Sequence, residues 1–139
     1  MPLRILVVED HAPFRRLICT ALQRREFQII EAADGLDAVQ QAEELQPDLI
    51  LLDINLPKLD GFEVAQQIPR LAPSARLLFM SQESSPAIVR KALSLGARGY
   101  IHKMYAATDL LSAIDAALAG QRFVSRSVAF TEPMQREAI

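Results

Sequence analysis

The segment Arg4-Ile5-Leu6-Val7-Val8-Glu9-Asp10 joins an uninterrupted run of apolar, mostly branched residues to two consecutive carboxylates. Residues 48–52 and 76–80 repeat the apolar run. Continuous apolar runs of this length are typical of strands buried on both faces, as in a parallel sheet that helices cover on each side. The shorter and more mixed segments 27–30 and 99–101 are predicted to be edge strands.

Between these runs, the apolar residues recur with the period of an amphipathic helix. The five helical stripes contain Phe14, Leu17, Ile18, Ala21 and Leu22; Leu36, Val39, Ala42 and Leu45; Phe62, Ala65 and Ile68; Ile88, Val89, Ala92, Leu93 and Leu95; and Leu110, Leu111, Ile114, Ala117 and Leu118. This alternation predicts an α/β fold, a doubly wound five-stranded parallel sheet (order 2-1-3-4-5) with five helices, in the flavodoxin-like (βα)5 arrangement. In such a sheet the functional site lies beyond the carboxyl ends of the strands, where the winding direction reverses.

Serine, proline and glycine mark the predicted helix ends. Ser85-Pro86 is typical of an N-cap followed by proline in the first turn. Pro69 is predicted to end the third helix. Gly96 and Gly120 lie where helix C-termini favour a residue that tolerates a left-handed backbone.

Composition excludes several classes of function. A chain of 139 residues with 15 Lys and Arg against 17 Asp and Glu has room for one domain and carries a net charge of -2, which argues against nucleic-acid binding. Cys19 is the only cysteine, so an internal disulfide or a cysteine-based zinc site is excluded. The sequence shows neither a signal peptide nor a membrane span, and we expect a soluble, cytoplasmic protein with no membrane contact.

Three carboxylates are predicted to converge at the carboxyl edge of the sheet. Glu9 and Asp10 follow the first strand, and Asp53 follows the third. Like charges held together repel one another unless a positive charge compensates them. Mg²⁺ prefers oxygen ligands and commonly combines one or two carboxylates with substrate phosphate oxygens. The sequence therefore predicts a site for Mg²⁺ or Mn²⁺.

The fourth and fifth strands end in groups that suit a phosphoryl anion. Ser81 supplies a hydroxyl donor and Lys103 supplies a positive charge. Ser81 has no evident general base, and Cys19 falls on a helix far from the strand ends. Asp53 is therefore the predicted nucleophile, and an aspartyl phosphate would be the product.

These residues resemble the receiver domain of bacterial two-component response regulators, and in particular the receivers of LuxR/NarL-type regulators. The resemblance extends over residues 4–119, nearly the whole chain. The segments that carry it are Ile5-Leu6-Val7-Val8-Glu9-Asp10, Leu51-Leu52-Asp53-Ile54-Asn55-Leu56-Pro57 with Asp60-Gly61-Phe62, Met80-Ser81, and Gly96-Ala97-Arg98-Gly99-Tyr100-Ile101-His102-Lys103. Each segment alone is weak, but together they stand in the right order at the right strand ends.

The resemblance implies which residues accept phosphate and hold the metal. Asp53 would be the phosphoacceptor. Glu9, Asp10 and Asp53, with the main-chain carbonyl of Asn55, would hold Mg²⁺. The receiver would catalyse its own metal-dependent phosphorylation and slow hydrolysis, and otherwise act in signalling rather than as an enzyme.

The resemblance also implies a switch. Ser81 would follow the phosphoryl group, Tyr100 would rotate inward with it, and Lys103 would pair with its oxygens. Asn55 and Glu83 occupy positions that tune the lifetime of the phosphoryl group. The readout surface would comprise the fourth helix, the fifth strand and the fifth helix.

Partners and domain organisation follow from the same resemblance. The phosphodonor would be a histidine kinase or a phosphotransfer protein, the target an output domain or an effector protein, and a homodimer could form on phosphorylation. We expect a receiver domain at residues 1–120 and a linker or tail at residues 121–139. No helix-turn-helix sequence follows residue 120, so DNA binding by this chain is not expected.

Three other interpretations share some of these features. A haloacid-dehalogenase-like phosphatase also uses an aspartate after an apolar strand, but needs a second aspartate where this chain has Asn55. A flavodoxin-like FMN protein would need a phosphate-binding loop where Glu9 and Asp10 stand. A pseudo-receiver that acts only as a protein-interaction module remains a third alternative. His11, His102 and the Arg15-Arg16 pair are interpreted as solvated or partly covered surface residues, although the arginine pair could help to dock a kinase.

Overall fold

The chain alternates strands with helices throughout the computed structural model, which describes residues 2–125. The elements are β1 (Arg4–Val8), α1 (Ala12–Leu22), β2 (Gln28–Ala32), α2 (Gly35–Leu45), β3 (Leu49–Asp53), α3 (Gly61–Leu71), β4 (Arg76–Ser81), α4 (Pro86–Ser94), β5 (Gly99–His102), a 3₁₀ turn (Lys103–Tyr105), α5 (Ala106–Leu118) and β6 (Phe123–Val124). The strands are all parallel and form one sheet in the order β2-β1-β3-β4-β5-β6. The α/β flavodoxin-like fold and the order of the first five strands are confirmed.

The sheet has six strands rather than the predicted five. The sixth, β6, lies in the segment that we predicted to be a linker or tail, and pairs with β5 in the register Gly99↔Phe123 and Tyr100↔Val124. As a result β5 is an interior strand, and the prediction that it lies at the edge is wrong. Two residues are too few to show a strand pattern, and β6 is held by hydrogen bonds to a distant strand, with the amide of Ser125 donating to the carbonyl of Tyr100 at 3.0 Å.

The core has one layer on each face of the sheet. Leu6 and Val8 of β1 pack into a layer with α2, α3 and α4, whereas Ile5 and Val7 pack into a layer with α1 and α5. These four side chains are 0–1% exposed. Burial on both faces explains why the strand sequence is continuously apolar instead of alternating.

The helix ends agree with the sequence signals except at Pro69. Ser85 Oγ accepts a hydrogen bond from the amide of Ile88, and Gly96 and Gly120 have φ of 92° and 78°. Helix α3 continues past Pro69 to Leu71, so the prediction that proline ends it is wrong. Proline removes only one main-chain donor so close to the C-terminus, and the amide of residue 72 still donates to the carbonyl of residue 68 at 2.8 Å.

Within residues 2–125, no helix is long and apolar enough to cross a membrane.

Candidate functional site

Four strand ends bring the polar residues of the candidate site to one edge of the sheet. Glu9 directly follows β1, Asp53 is the last residue of β3, Ser81 is the last residue of β4, and Lys103 directly follows β5. Because the strands are parallel, their carboxyl ends share the same edge. The predicted convergence of these residues is what the structure shows.

Glu9, Asp10 and Asp53 form an acidic cluster. One carboxylate oxygen from each of the three lies within 4.8 Å of the others. Glu9 and Asp53 are 0% and 3% exposed, whereas Asp10 is exposed to solvent. Two buried carboxylates and one exposed carboxylate thus form a group that is open on one side.

Lys103 places its positive charge directly against the two buried carboxylates. Its Nζ lies 2.6 Å from Oε1 of Glu9 and 3.3 Å from Oδ2 of Asp53. The ring of Phe14 covers the same ammonium, with 4.9 Å from Nζ to the ring centroid. One ammonium cannot neutralise two carboxylates, so the buried group retains an excess negative charge.

The burial of Asp53 and the negative charge of its neighbour raise the pKa of its carboxyl. Burial, followed by repulsion from Glu9, raises the pKa of the Asp53 carboxyl from 3.8 to about 6, even though Lys103 opposes the shift. Desolvation and a like charge both disfavour the ionised form. A further cation at this edge would therefore stabilise the ionised carboxylate.

The residues present fit a divalent cation. The donors are carboxylate oxygens, which Mg²⁺ prefers, and one side of the cluster opens to solvent, from which Mg²⁺ retains part of its water shell. Oε1 of Glu9 is buried and accepts no hydrogen bond of favourable geometry, its close neighbour being the ammonium of Lys103. The acidic cluster therefore has unsatisfied acceptor capacity where a cation would be bound.

Ser81, Glu83 and Tyr100 form a second group beside the acidic cluster. Ser81 Oγ accepts a hydrogen bond from the amide of Glu83 at 2.9 Å, and the hydroxyl of Tyr100 donates to the carbonyl of Glu83 at 2.7 Å. Ser81 and Tyr100 are fully buried, and burial raises the pKa of the Tyr100 phenol. The main chain of Glu83, in the loop after β4, is therefore hydrogen-bonded to both β4 and β5.

The loop after β3 carries Asn55 and is braced from α2. The amide of Asn55 lies 3.4 Å from Oδ1 of Asp53, and its side chain is exposed. Gly35, at the start of α2, donates its amide to the carbonyl of Pro57 at 3.2 Å. A Cβ at position 35 would lie 1.8 Å from the carbonyl oxygen of Leu59, so only glycine allows this approach.

Two residues interpreted as solvated or partly covered surface residues also make contacts at the site, where His11 is exposed and Arg15 is half-buried. His11 caps α1, because its Nδ1 accepts a hydrogen bond from the amide of Phe14. Arg15 donates from Nη1 to the carbonyl of Glu9 at 2.6 Å and from Nε to Oε1 of Glu31 at 2.9 Å. The position of His11 just before Ala12-Pro13 is an available capping signal, but nothing in the local sequence indicates the partners of Arg15.

Comparison with known protein families identifies the family of this chain. The model of the response regulator receiver domain matches residues 5–115. The chain belongs to this family. The receiver domain thus carries its acidic cluster, Ser81 and Lys103 in the fold that the resemblance implied, and neither a phosphatase nor a flavin-protein family is supported.

Relatives and solved structures agree with this assignment. The receiver domain is 34% identical over 116 residues to the chemotaxis protein CheY of Listeria monocytogenes, covering 83% of this chain and 98% of that protein. It is 34% identical over 128 residues to the transcriptional regulatory protein PdtaR of Mycobacterium tuberculosis, covering 90% of this chain but only 61% of the regulator.

Among solved structures, a LuxR-family two-component response regulator from Aurantimonas sp. SI85-9A1 is similar over 100% of both chains, with a TM-score of 0.85 and 30% identity. The signal receiver domain of the response regulator NarL from Mycobacterium tuberculosis is similar over 86% of this chain and 98% of that chain, with a TM-score of 0.80 and 32% identity. The resemblance to LuxR/NarL-type receivers is confirmed.

Proposed function

We propose that this receiver accepts a phosphoryl group on Asp53 in a two-component signalling pathway and thereby controls an output domain or effector protein. The observation that carries the proposal is the position of the Asp53 carboxylate, 3.3 Å from the ammonium of Lys103 and grouped with Glu9 and Asp10 at the edge of the sheet. A buried nucleophile flanked by a cation and by metal-binding carboxylates suits transfer of an anionic group.

The transfer itself requires a carboxylate nucleophile and a phosphodonor. An Oδ of Asp53 attacks phosphorus, a new oxygen–phosphorus bond forms, and the bond from phosphorus to the donor breaks with its electron pair leaving on the donor. The donor is the phosphohistidine of a kinase or phosphotransfer protein, or a small acyl phosphate. Lys103 offers its ammonium to the phosphoryl oxygens, and Ser81 offers its hydroxyl as a hydrogen-bond donor.

Glu9, Asp10 and Asp53, together with the main-chain carbonyl of Asn55, are the groups that would hold Mg²⁺ or Mn²⁺. The bound cation would neutralise charge on the carboxylates and on the transferred phosphoryl oxygens.

The group of Ser81, Glu83 and Tyr100 is suited to respond to the new charge. If the Ser81 hydroxyl turns toward a phosphoryl oxygen, its contact with the amide of Glu83 weakens, and the loop that also holds the Tyr100 hydroxyl is released. This group can then adopt two different packing arrangements, and phosphorylation increases the population of one of them. The surface that changes consists of α4, β5 and α5. Asn55 and Glu83 are exposed and would set how readily water reaches the phosphoryl group.

The surface around the site suits a protein donor. A cleft of about 920 Å³ opens at the acidic cluster, and its wall includes apolar residues of α1 and of the 3₁₀ turn. Leu17 and Met104 in this wall are 51% and 74% exposed. Exposed apolar side chains beside a reactive group are typical of a docking surface, here for a cytoplasmic histidine kinase or phosphotransfer protein. Output domain and homodimer contacts would use the α4-β5-α5 surface.

The test is intact-mass measurement after incubation of the full chain with acetyl phosphate and Mg²⁺. We expect a gain of one phosphoryl group that is lost with EDTA, lost in Asp53→Asn and retained in Asp37→Asn, a matched change in α2. Hydroxylamine should remove the added mass, as it does for an acyl phosphate. No gain in the folded wild type, or an equal gain in Asp53→Asn, would contradict the proposal and leave a protein-interaction module.

A further inference from the structure

Glu9 is fixed at four points, and two of them are side chains outside the acidic cluster, Lys103 and Arg15. Its amide donates to the carbonyl of Ala32 at 3.0 Å, and its two carboxylate oxygens contact Lys103 and the amide of His11. Its carbonyl oxygen accepts from Nη1 of Arg15 at 2.6 Å. The last contact is short and charge-assisted, which makes it one of the stronger hydrogen bonds around the site.

The carbonyl of Glu9 controls where Asp10 lies. The peptide unit between the two residues is planar, so fixing its oxygen also fixes the amide nitrogen and Cα of Asp10. Within residues 2–125, the Asp10 side chain makes no hydrogen bond or ion pair of its own. The direction of its carboxylate toward Glu9 and Asp53 therefore depends on the main chain that Arg15 holds.

Arg15 is itself held from the opposite side. Its Nε donates to Oε1 of Glu31 on β2 at 2.9 Å, so the planar guanidinium bridges β2 and the turn after β1. The Arg15 side chain is only 19% exposed. The neighbouring Arg16 is exposed, although the two residues are identical in charge and adjacent in sequence.

We infer that Arg15 is a positioning residue of the metal site, which orients Asp10 for Mg²⁺ through the carbonyl of Glu9. This inference rests on the proposed function, since it concerns the same cation. Groups behind the direct metal ligands orient those ligands, and their removal typically weakens metal binding by 10–100-fold. Arg15 fills this position although it contacts no carboxylate of the cluster.

Charge and positioning make opposite predictions for this residue. Arg15 carries a positive charge beside a cation site, so its loss should strengthen Mg²⁺ binding if only long-range repulsion matters. If Arg15 orients Asp10, its loss should weaken binding. The direction of the change in affinity therefore separates the two effects.

The experiment is calorimetric titration of the unphosphorylated 139-residue chain with Mg²⁺. We expect Arg15→Ala to weaken Mg²⁺ binding about 10-fold, whereas the matched control Arg16→Ala leaves the affinity within about two-fold. Arg15→Lys keeps the charge but cannot make both hydrogen bonds of the planar guanidinium, and should also weaken Mg²⁺ binding. Glu31→Gln removes the negative charge of the other anchor but keeps an acceptor oxygen, and should weaken Mg²⁺ binding less.

A second readout separates positioning from loss of the fold. Phosphorylation of Arg15→Ala by acetyl phosphate should need more Mg²⁺ for half-maximal rate but reach a near wild-type rate at saturating Mg²⁺. Circular dichroism should show an unchanged fold; if Arg15→Ala does not fold, Arg15→Lys and Glu31→Gln carry the test. Unchanged or tighter Mg²⁺ binding in the folded variants would overturn the inference and leave the proposed function intact. Absence of Mg²⁺ binding by the wild type would overturn both.

Discussion

The ammonium of Lys103 lies 2.6 Å from Oε1 of Glu9, in a site where the glutamate is 0% exposed and the lysine side chain 14% exposed. Asp53 shares the same ammonium at 3.3 Å. A single lysine therefore compensates two buried carboxylates that come from separate strands. We expect both the stability of the free receiver and its affinity for a cation to depend on this imbalance.

Replacing Lys103 by methionine should destabilise the receiver strongly when divalent cations are absent. The change keeps an apolar stem and leaves two buried carboxylates without compensation, for which about 3 kcal/mol of lost stability is typical. Urea denaturation at pH 7 in EDTA measures the loss, and Mg²⁺ should restore part of it. The control Lys58→Met removes the ion pair between exposed Lys58 and half-buried Asp34 and should lower the midpoint far less. Equal midpoints for the two variants would contradict this account.

Asp53→Asn should stabilise the metal-free receiver above pH 6. The folded-state pKa of about 6 exceeds the unfolded value of 3.8, so the ionised carboxylate opposes folding. This destabilisation is complete above pH 6 and disappears as the pH falls from 6 to 4, where the folded state becomes protonated. At pH 8 in EDTA, we expect a gain of roughly 1–3 kcal/mol in the free energy of unfolding. The gain in stability should be nearly absent at pH 4. A stability difference between the two proteins that does not change with pH would show that the fold does not disfavour the ionised carboxylate.

Gly35→Ala should disturb the loop after β3. The added Cβ would lie 1.8 Å from the carbonyl oxygen of Leu59 and 2.6 Å from its carbonyl carbon, so the loop that carries Asn55 must move. Such overpacking costs about 2 kcal/mol or more. The control Gly96→Ala meets no atom within 4 Å and suffers only from its positive φ, at about 1 kcal/mol. Urea midpoints compare the two, and the phosphorylation rate should fall only in Gly35→Ala.

The features that could be predicted from the sequence depend on neighbouring residues or on the periodic spacing of apolar residues. The apolar run of β1, the carboxylates after it and the Ser85 cap are local, and each is where the pattern indicated. The grouping of Glu9, Asp53, Ser81 and Lys103 followed from the parallel topology alone, because the ends of parallel strands share one edge.

Features that depend on long-range contacts could not be predicted. The bridge from Arg15 to Glu31 and the pairing of β6 with β5 join segments whose own sequences give no sign of the partner. Pro69 was misleading for a related reason: the loss of one hydrogen bond is tolerated because Ile68 beside it is buried in the core. In each case tertiary packing outweighs the local signal.

Ser125→Ala should detach β6 from the end of β5. Ser125 is 2% exposed, its Oγ accepts from the amide of His102 at 3.0 Å, and it donates to Oδ2 of Asp109 at 2.7 Å. Alanine leaves that amide without its partner at the residue before Lys103, which should cost about 1–3 kcal/mol. The control Ser94→Ala removes an exposed hydroxyl and should leave the urea midpoint unchanged. Hydrogen exchange at His102 should accelerate in Ser125→Ala alone, and unchanged protection there would show that β6 does not hold the end of β5.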